Sequence, residues 1–118
     1  MDKQATGKAG QQAAEKYLQT KGYQILNRNF QRRGGELDII ARDGEYVVFV
    51  EVKARNNLNY GYPREAISHT KQKRIIKTAL IYLAYHKMTN SDVRFDVVEV
   101  LLQNGQVYVS HIENAFTG

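Results

Sequence analysis

No cysteine occurs in these 118 residues. Disulfides and thiolate metal sites are therefore excluded, and any metal must sit on oxygen or imidazole. Long apolar runs are also missing: none approaches the ~20 residues needed to span a bilayer, and Met1 to Gln12 lacks the apolar core of a signal peptide. Membrane insertion is not expected, and the cytoplasm is the expected compartment. His69, His86 and His111 are scattered without metal-ligand spacing, so none receives a catalytic role. Acids are scarce beside bases, with 12 Asp and Glu against 17 Lys and Arg and a formal charge of +5. That excess favours polyanionic partners through long-range attraction. It is also concentrated: from Lys53 to Lys77 the bases Lys53, Arg55, Arg64, Lys71, Lys73, Arg74 and Lys77 meet one acid, Glu65.

What is present reads as one globular domain spanning 1–118. Hydrophobic residues make up 42% and charged residues 25%, too apolar for a disordered chain. Ala9, Ala13, Ala14, Tyr17 and Leu18 recur at helical spacing between Ala5 and Lys21, with Gly22 as a stop. A strand over Tyr23 to Phe30 precedes a basic loop from Gln31 to Gly35. A hairpin follows, Glu36 to Arg42 and Glu45 to Lys53, turning at Asp43-Gly44. The second arm, Val47-Val48-Phe49-Val50, is apolar on both faces, so helices should cover the sheet above and below. Arg64 to Lys87 reads as a long helix carrying Ile67, Ile75, Ala79, Leu80 and Leu83. Two strands, Val93 to Leu102 and Gln106 to Ile112, turn at Asn104-Gly105, with fraying expected beyond them. The expected fold is an α/β sandwich around a mixed sheet of about five strands.

With Asp43-Gly44 as the two turn residues, Arg42 faces Glu45, Glu36 faces Glu51 and Asp38 faces Phe49. Strand alternation then puts Glu36, Asp38, Glu51 and Lys53 on one face, with Asp38 and Glu51 as diagonal neighbours roughly 7–8 Å apart. Carboxylates gathered on one face repel one another unless a cation neutralises them, and hard oxygen ligands select Mg2+ or Mn2+. Lys53 can stand beside such an ion and stabilise charge developing on a phosphate. The competing reading, a solvated hairpin face, accounts poorly for a carboxylate interrupting a strand that is apolar on both sides.

Gly35-Glu36-Leu37-Asp38 and Val48-Phe49-Val50-Glu51-Val52-Lys53-Ala54-Arg55 resemble the core of the PD-(D/E)xK nuclease superfamily, in the variant seen in archaeal Holliday-junction resolvases. Over nearly its whole length, including Gly22-Tyr23, Ile25-Leu26-Asn27 and Arg94-Phe95-Asp96-Val97-Val98, the chain is similar to the bacterial YraN family of nuclease-like proteins. The resemblance implies a restriction-endonuclease-like three-layer sandwich. It implies Mg2+ or Mn2+ held by Asp38, Glu51 and the carbonyl of Val52, with Lys53 as the catalytic lysine and Glu15 of the first helix assisting. Leu37 stands where the superfamily pattern has proline.

The function expected from these readings is metal-dependent endonucleolytic hydrolysis of DNA phosphodiester bonds, with branched or damaged DNA among the candidate substrates. The alternative is a nucleic-acid-binding module of nuclease fold without turnover of its own. Arg32, Arg33, Arg55, Lys71, Lys73 and Arg74 are the candidate phosphate contacts, with Arg28 and Lys77 nearby in sequence. Lys71 and Arg74 share one helix face while Lys73 and Lys77 share another, so not all four can face one duplex. Gln72 is a candidate polar helper, and Tyr60 and Tyr62 are candidates to stack on bases. Asp96 is expected to hold structure against Arg94. Related resolvases work as dimers, so a homodimer is the implied assembly.

Overall fold

Alternation of apolar residues along five segments builds the frame of the molecule, and two amphipathic helices cover it. The computed structural model describes residues 3–56 and 67–118. The elements run α1 (Lys3–Thr20), β1 (Gln24–Arg32), β2 (Gly35–Asp43), β3 (Tyr46–Arg55), α2 (His69–Tyr85), β4 (Asp92–Gln103) and β5 (Gln106–Phe116). The strands form one sheet in the order β1-β2-β3-β4-β5. Neighbours are antiparallel except β3 and β4, which pair in parallel from Tyr46↔Asp92 to Arg55↔Leu101. A parallel pair needs a long crossover, and the segment containing α2 supplies it.

The two faces bury different cores. Ala14 and Leu18 of α1 pack with Tyr23, Ile39, Ala41, Val48, Val50, Val98 and Val100 on one face. Ile75, Ala79, Tyr82 and Leu83 of α2 pack with Phe30, Leu37, Ile40, Val47, Phe49, Phe95 and Val97 on the other. Val47 to Val50 thus feed both cores in turn, which explains the unbroken apolar run. Glycine sets how near each helix lies. A Cβ on Gly10 would collide with the Ala54 side chain, and one on Gly35 would collide with the Thr78 hydroxyl of α2.

Several boundaries differ from the sequence-based expectation. The basic loop at Gln31 to Gly35 is a tight turn, with Arg32 paired to Gly35 and only Arg33 and Gly34 between them. Gly34, at φ +88°, supplies the left-handed residue the reversal needs. The long helix begins at His69, where Ser68 caps it by accepting from the Lys71 N–H at 3.2 Å. Ile67, expected on that helix, lies before the cap yet is buried in the α2-side core. The expected helical start at Arg64, together with Tyr60 and Tyr62, lies outside the described residues. Fraying after Ile112 does not occur: β5 continues to Phe116, whose ring stacks on Phe95 with centroids 5.1 Å apart. Burial of that ring holds the last strand in place.

Candidate metal centre and phosphate cleft

The β2–β3 register sets the relationship between the two candidate ligands. Asp43 pairs with Tyr46, so Gly44 and Glu45 are the turn residues and each partner shifts from the expected position. Gly44 has φ +59° and Glu45 is not left-handed, the pattern of a type II′ turn with glycine first. The expected turn would have forced Asp43 into the left-handed region. The paired ladder runs from Asp43↔Tyr46 to Ile39↔Val50, and Asp38 and Glu51 are the residues just beyond its last pair.

Regular alternation slips at this point. Leu37 packs in the α2-side core and Ile39 in the α1-side core, although they are two residues apart. Across from Asp38, Asn29 of β1 takes φ 52° between the pairs Arg28↔Ile39 and Phe30↔Leu37. Asp38 Oδ2 accepts a 2.8 Å hydrogen bond from the Val52 N–H. A backbone donor of β3 therefore positions the carboxylate of β2.

Glu51 is 6% exposed. Burial pushes its pKa up to about 8, reinforced by a hydrogen bond with Asp38 and by that residue's charge, while Lys71 pulls the other way. Lys71 Nζ stands 3.2 Å from Glu51 Oε2. The contact is an ion pair without hydrogen-bond geometry, so among the described residues this buried oxygen makes no hydrogen bond. Asp38 and Glu51 form one wall of an open cleft of about 780 Å³. The facing wall is the start of α2, with Ser68, Thr70, Lys71 and Arg74, and Gly34, Gly35 and Glu36 close one end. An N-terminal helical turn carries unpaired N–H groups and partial positive charge, so an acidic wall faces an anion-attracting one.

The remaining candidates are dispersed. Lys53 is half-buried, two residues beyond Glu51 on the same strand and in register with buried Glu99 of β4. Glu15 is held by Arg28, whose Nη2 donates to its Oε1 at 2.8 Å, and it is not among the cleft-lining residues. Arg32 lies over the Phe30 ring at 4.2 Å and near Tyr85 at 5.4 Å. Exposed Arg33 occupies the β1–β2 turn, exposed Lys73 and Lys77 do not line the cleft, and half-buried Arg55 ends β3. Lys71 and Arg74 do share the cleft, as their helical spacing implied. Gln72 donates to the Ile67 carbonyl at 2.9 Å and so serves the helix start. Ser68 and Thr70 line the cleft because α2 starts at His69, inside the span expected to be helical. The signal was available, since serine just ahead of an apolar periodic run marks a helix start.

A second polar cluster occupies the opposite face. Arg94 Nε donates to Asp96 Oδ1 and its Nη1 to Asp43 Oδ2, both at 2.9 Å. His111 Nε2 is 2.7 Å from Asp96 Oδ2, and the Asn114 N–H donates to Oδ1 at 3.0 Å. Asp96 therefore joins β4 to β5 and Arg94 reaches the β2–β3 turn, the structural role expected for that aspartate.

Three layers, a mixed five-stranded sheet and two carboxylates lining one cleft define a restriction-endonuclease-like α/β sandwich. The chain belongs to the family described as "Uncharacterised protein family UPF0102", whose model matches residues 10–100. It is 46% identical over 110 residues to a UPF0102 protein of Persephonella marina, covering 93% of this chain and 91% of the relative. A UPF0102 protein of Trichlorobacter lovleyi is 47% identical over 115 residues, covering 96% and 91%. One of Caldicellulosiruptor saccharolyticus is 44% identical over 118 residues, covering 98% and 100%. No helix among the described residues is long and apolar enough to cross a membrane.

Proposed function

We propose that the chain is a divalent-metal-dependent endonuclease that hydrolyses DNA phosphodiester bonds. The observation that carries this reading is the meeting of Asp38 and Glu51 in one open cleft whose other wall presents Lys71, Arg74 and the start of α2. The residues fit a hard divalent cation. Both side-chain donors are carboxylates, and one buried oxygen of Glu51 makes no hydrogen bond among the described residues, so Mg2+ or Mn2+ suits the site.

When bound, the metal would activate water and neutralise charge on the phosphate. The chain's own residues do the rest. Asp38, tethered to the Val52 N–H, and Glu51 would hold the ion, with the Val52 carbonyl a third proposed ligand. Arg74 and the first turn of α2 would orient the phosphate. Lys53, on the face of Glu51, would stabilise charge growing on the phosphate oxygens. Glu15 joins this set only if it leaves Arg28.

Purified protein incubated with Mg2+ or Mn2+ and linear, nicked, flapped and four-way DNAs tests the proposal. Cleavage of at least one substrate, lost in Lys53→Ala, is expected. No cleavage of any substrate, with Lys53→Ala indistinguishable from wild type, would refute it. The second reading, nucleic-acid binding without turnover, draws on the pairing of Glu15 with Arg28 and on the lack of any cluster of three acidic or imidazole groups among the described residues. It predicts binding without cleavage, with log affinity falling against log salt by about 0.9 per phosphate contacted.

A further inference from the structure

Among the described residues, Lys71 pairs with Glu51, a proposed ligand of the cleft. Its backbone is fixed, because its N–H donates to the Ser68 cap in the first turn of α2. Its side chain is 55% exposed, yet the ammonium reaches across the cleft to Glu51 Oε2 at 3.2 Å. It lacks hydrogen-bond geometry to that oxygen, so the contact is chiefly coulombic and its direction is weakly constrained. A lysine ammonium is a compact charge on a flexible four-carbon stem. It can swing within the cleft while its helix stays put.

We propose that Lys71 is a displaceable occupant of the cation site, a built-in monovalent charge that covers the Glu51 oxygen until a phosphodiester draws the ammonium to itself. This rests on the metal-site reading above and adds an order to it. In the free protein a divalent ion competes with Lys71 for Glu51 once that carboxyl is ionised. When a phosphate enters between the two walls, the ammonium has a second anion within the cleft, and Glu51 is released to the ion. Metal and phosphate binding are then positively coupled, and the coupling is reciprocal by linkage. A cleft that loads its ion only with substrate present does not hold a reactive ion idle.

The alternative role for the same contact is purely structural, with Lys71 staying on Glu51 to neutralise a buried carboxylate. The two roles make opposite statements about metal affinity. If Lys71 competes, removing its charge frees the ligand. If it merely supports the wall, removing it leaves the affinity unchanged or lowers it.

The test is Mn2+ binding to the full chain, read by the electron paramagnetic resonance of free Mn2+, without nucleic acid and then with saturating inorganic phosphate. Wild type, Lys71→Met, Lys71→Gln and Asp38→Asn are compared, and a thermal melt confirms folding of each. Lys71→Met and Lys71→Gln are expected to bind Mn2+ more tightly than wild type without phosphate, by roughly 5- to 150-fold, the usual span of coupling between two sites. Phosphate is expected to tighten Mn2+ binding to wild type and to leave the Lys71 variants little changed. Binding abolished in Asp38→Asn but no tighter in either Lys71 variant than in wild type overturns the role of Lys71 and leaves the metal site standing. Absence of binding in every protein overturns both.

Discussion

The Oδ2 of Asp38 accepts its 2.8 Å hydrogen bond from the main-chain N–H of Val52, the residue directly after Glu51. The carboxylate contributed by β2 is thereby anchored on the strand that carries the second carboxylate. Its orientation is set by the sheet before any ligand arrives.

Two substitutions at Asp38 separate anchoring from charge. Asp38→Asn keeps an acceptor for Val52 and removes the charge, whereas Asp38→Ala removes both. Urea denaturation should show Asp38→Ala less stable than Asp38→Asn by about 1 kcal/mol or more, the cost of stranding a donor. Both variants should lose Mn2+ binding. Equal stability of the two would mean that the Val52 bond contributes nothing.

Glu51 makes stability depend on pH. Burial, with Asp38 close by, lifts its pKa from 4.5 to about 8, so the folded protein holds this proton more tightly than the unfolded chain. That contribution is fully present below 4.5 and lost as pH rises through about 8. Denaturation midpoints measured across this interval should fall in wild type and fall less in Glu51→Gln. Parallel profiles for the two proteins would contradict it.

Asp96 has the opposite sign. Burial pushes its pKa up, but His111, the Arg94 guanidinium and the Asn114 N–H together outweigh burial and hold it below the ordinary 3.8. Its contribution is therefore present above 3.8 and lost as pH falls through the depressed folded value. Asp96 is 0% exposed, and Asp96→Ala takes a partner from both Arg94 and His111. A loss of about 3 kcal/mol is expected, at the lower end for breaking a buried pair because Asp43 still holds Arg94. Calorimetric or urea unfolding of this variant at neutral pH measures it, and a loss below ~1 kcal/mol would show that the network is dispensable.

Gly35 lets α2 lie against the β1–β2 turn, since an added Cβ would strike the Thr78 hydroxyl and lie 3.3 Å from the Arg74 carbonyl. Gly35→Ala should cost about 1–3 kcal/mol through overpacking. The same shift moves the helix bearing Lys71 and Arg74, so DNA affinity should weaken and its dependence on salt become shallower. Unchanged stability would mean that α2 yields at no cost.

Local physics determined a good deal of this protein from the sequence alone. The element order, the reversal at Asn104-Gly105, the unbroken run of Val47 to Val50 between two helix layers and the shared face of Lys71 and Arg74 all follow from backbone preference and periodicity. These need only neighbours in the chain. Tertiary structure decided the rest, because the deciding atoms are far apart in sequence. A one-residue choice of turn shifted every β2–β3 pair from Asp43↔Tyr46 to Ile39↔Val50, since a hairpin register propagates every error along both strands. Glu15 is held by Arg28, Lys71 reaches Glu51, and His111 joins Arg94 around Asp96, none of which periodicity reveals. Phe116 stays ordered for the same reason: only the folded sheet brings Phe95 beneath its ring.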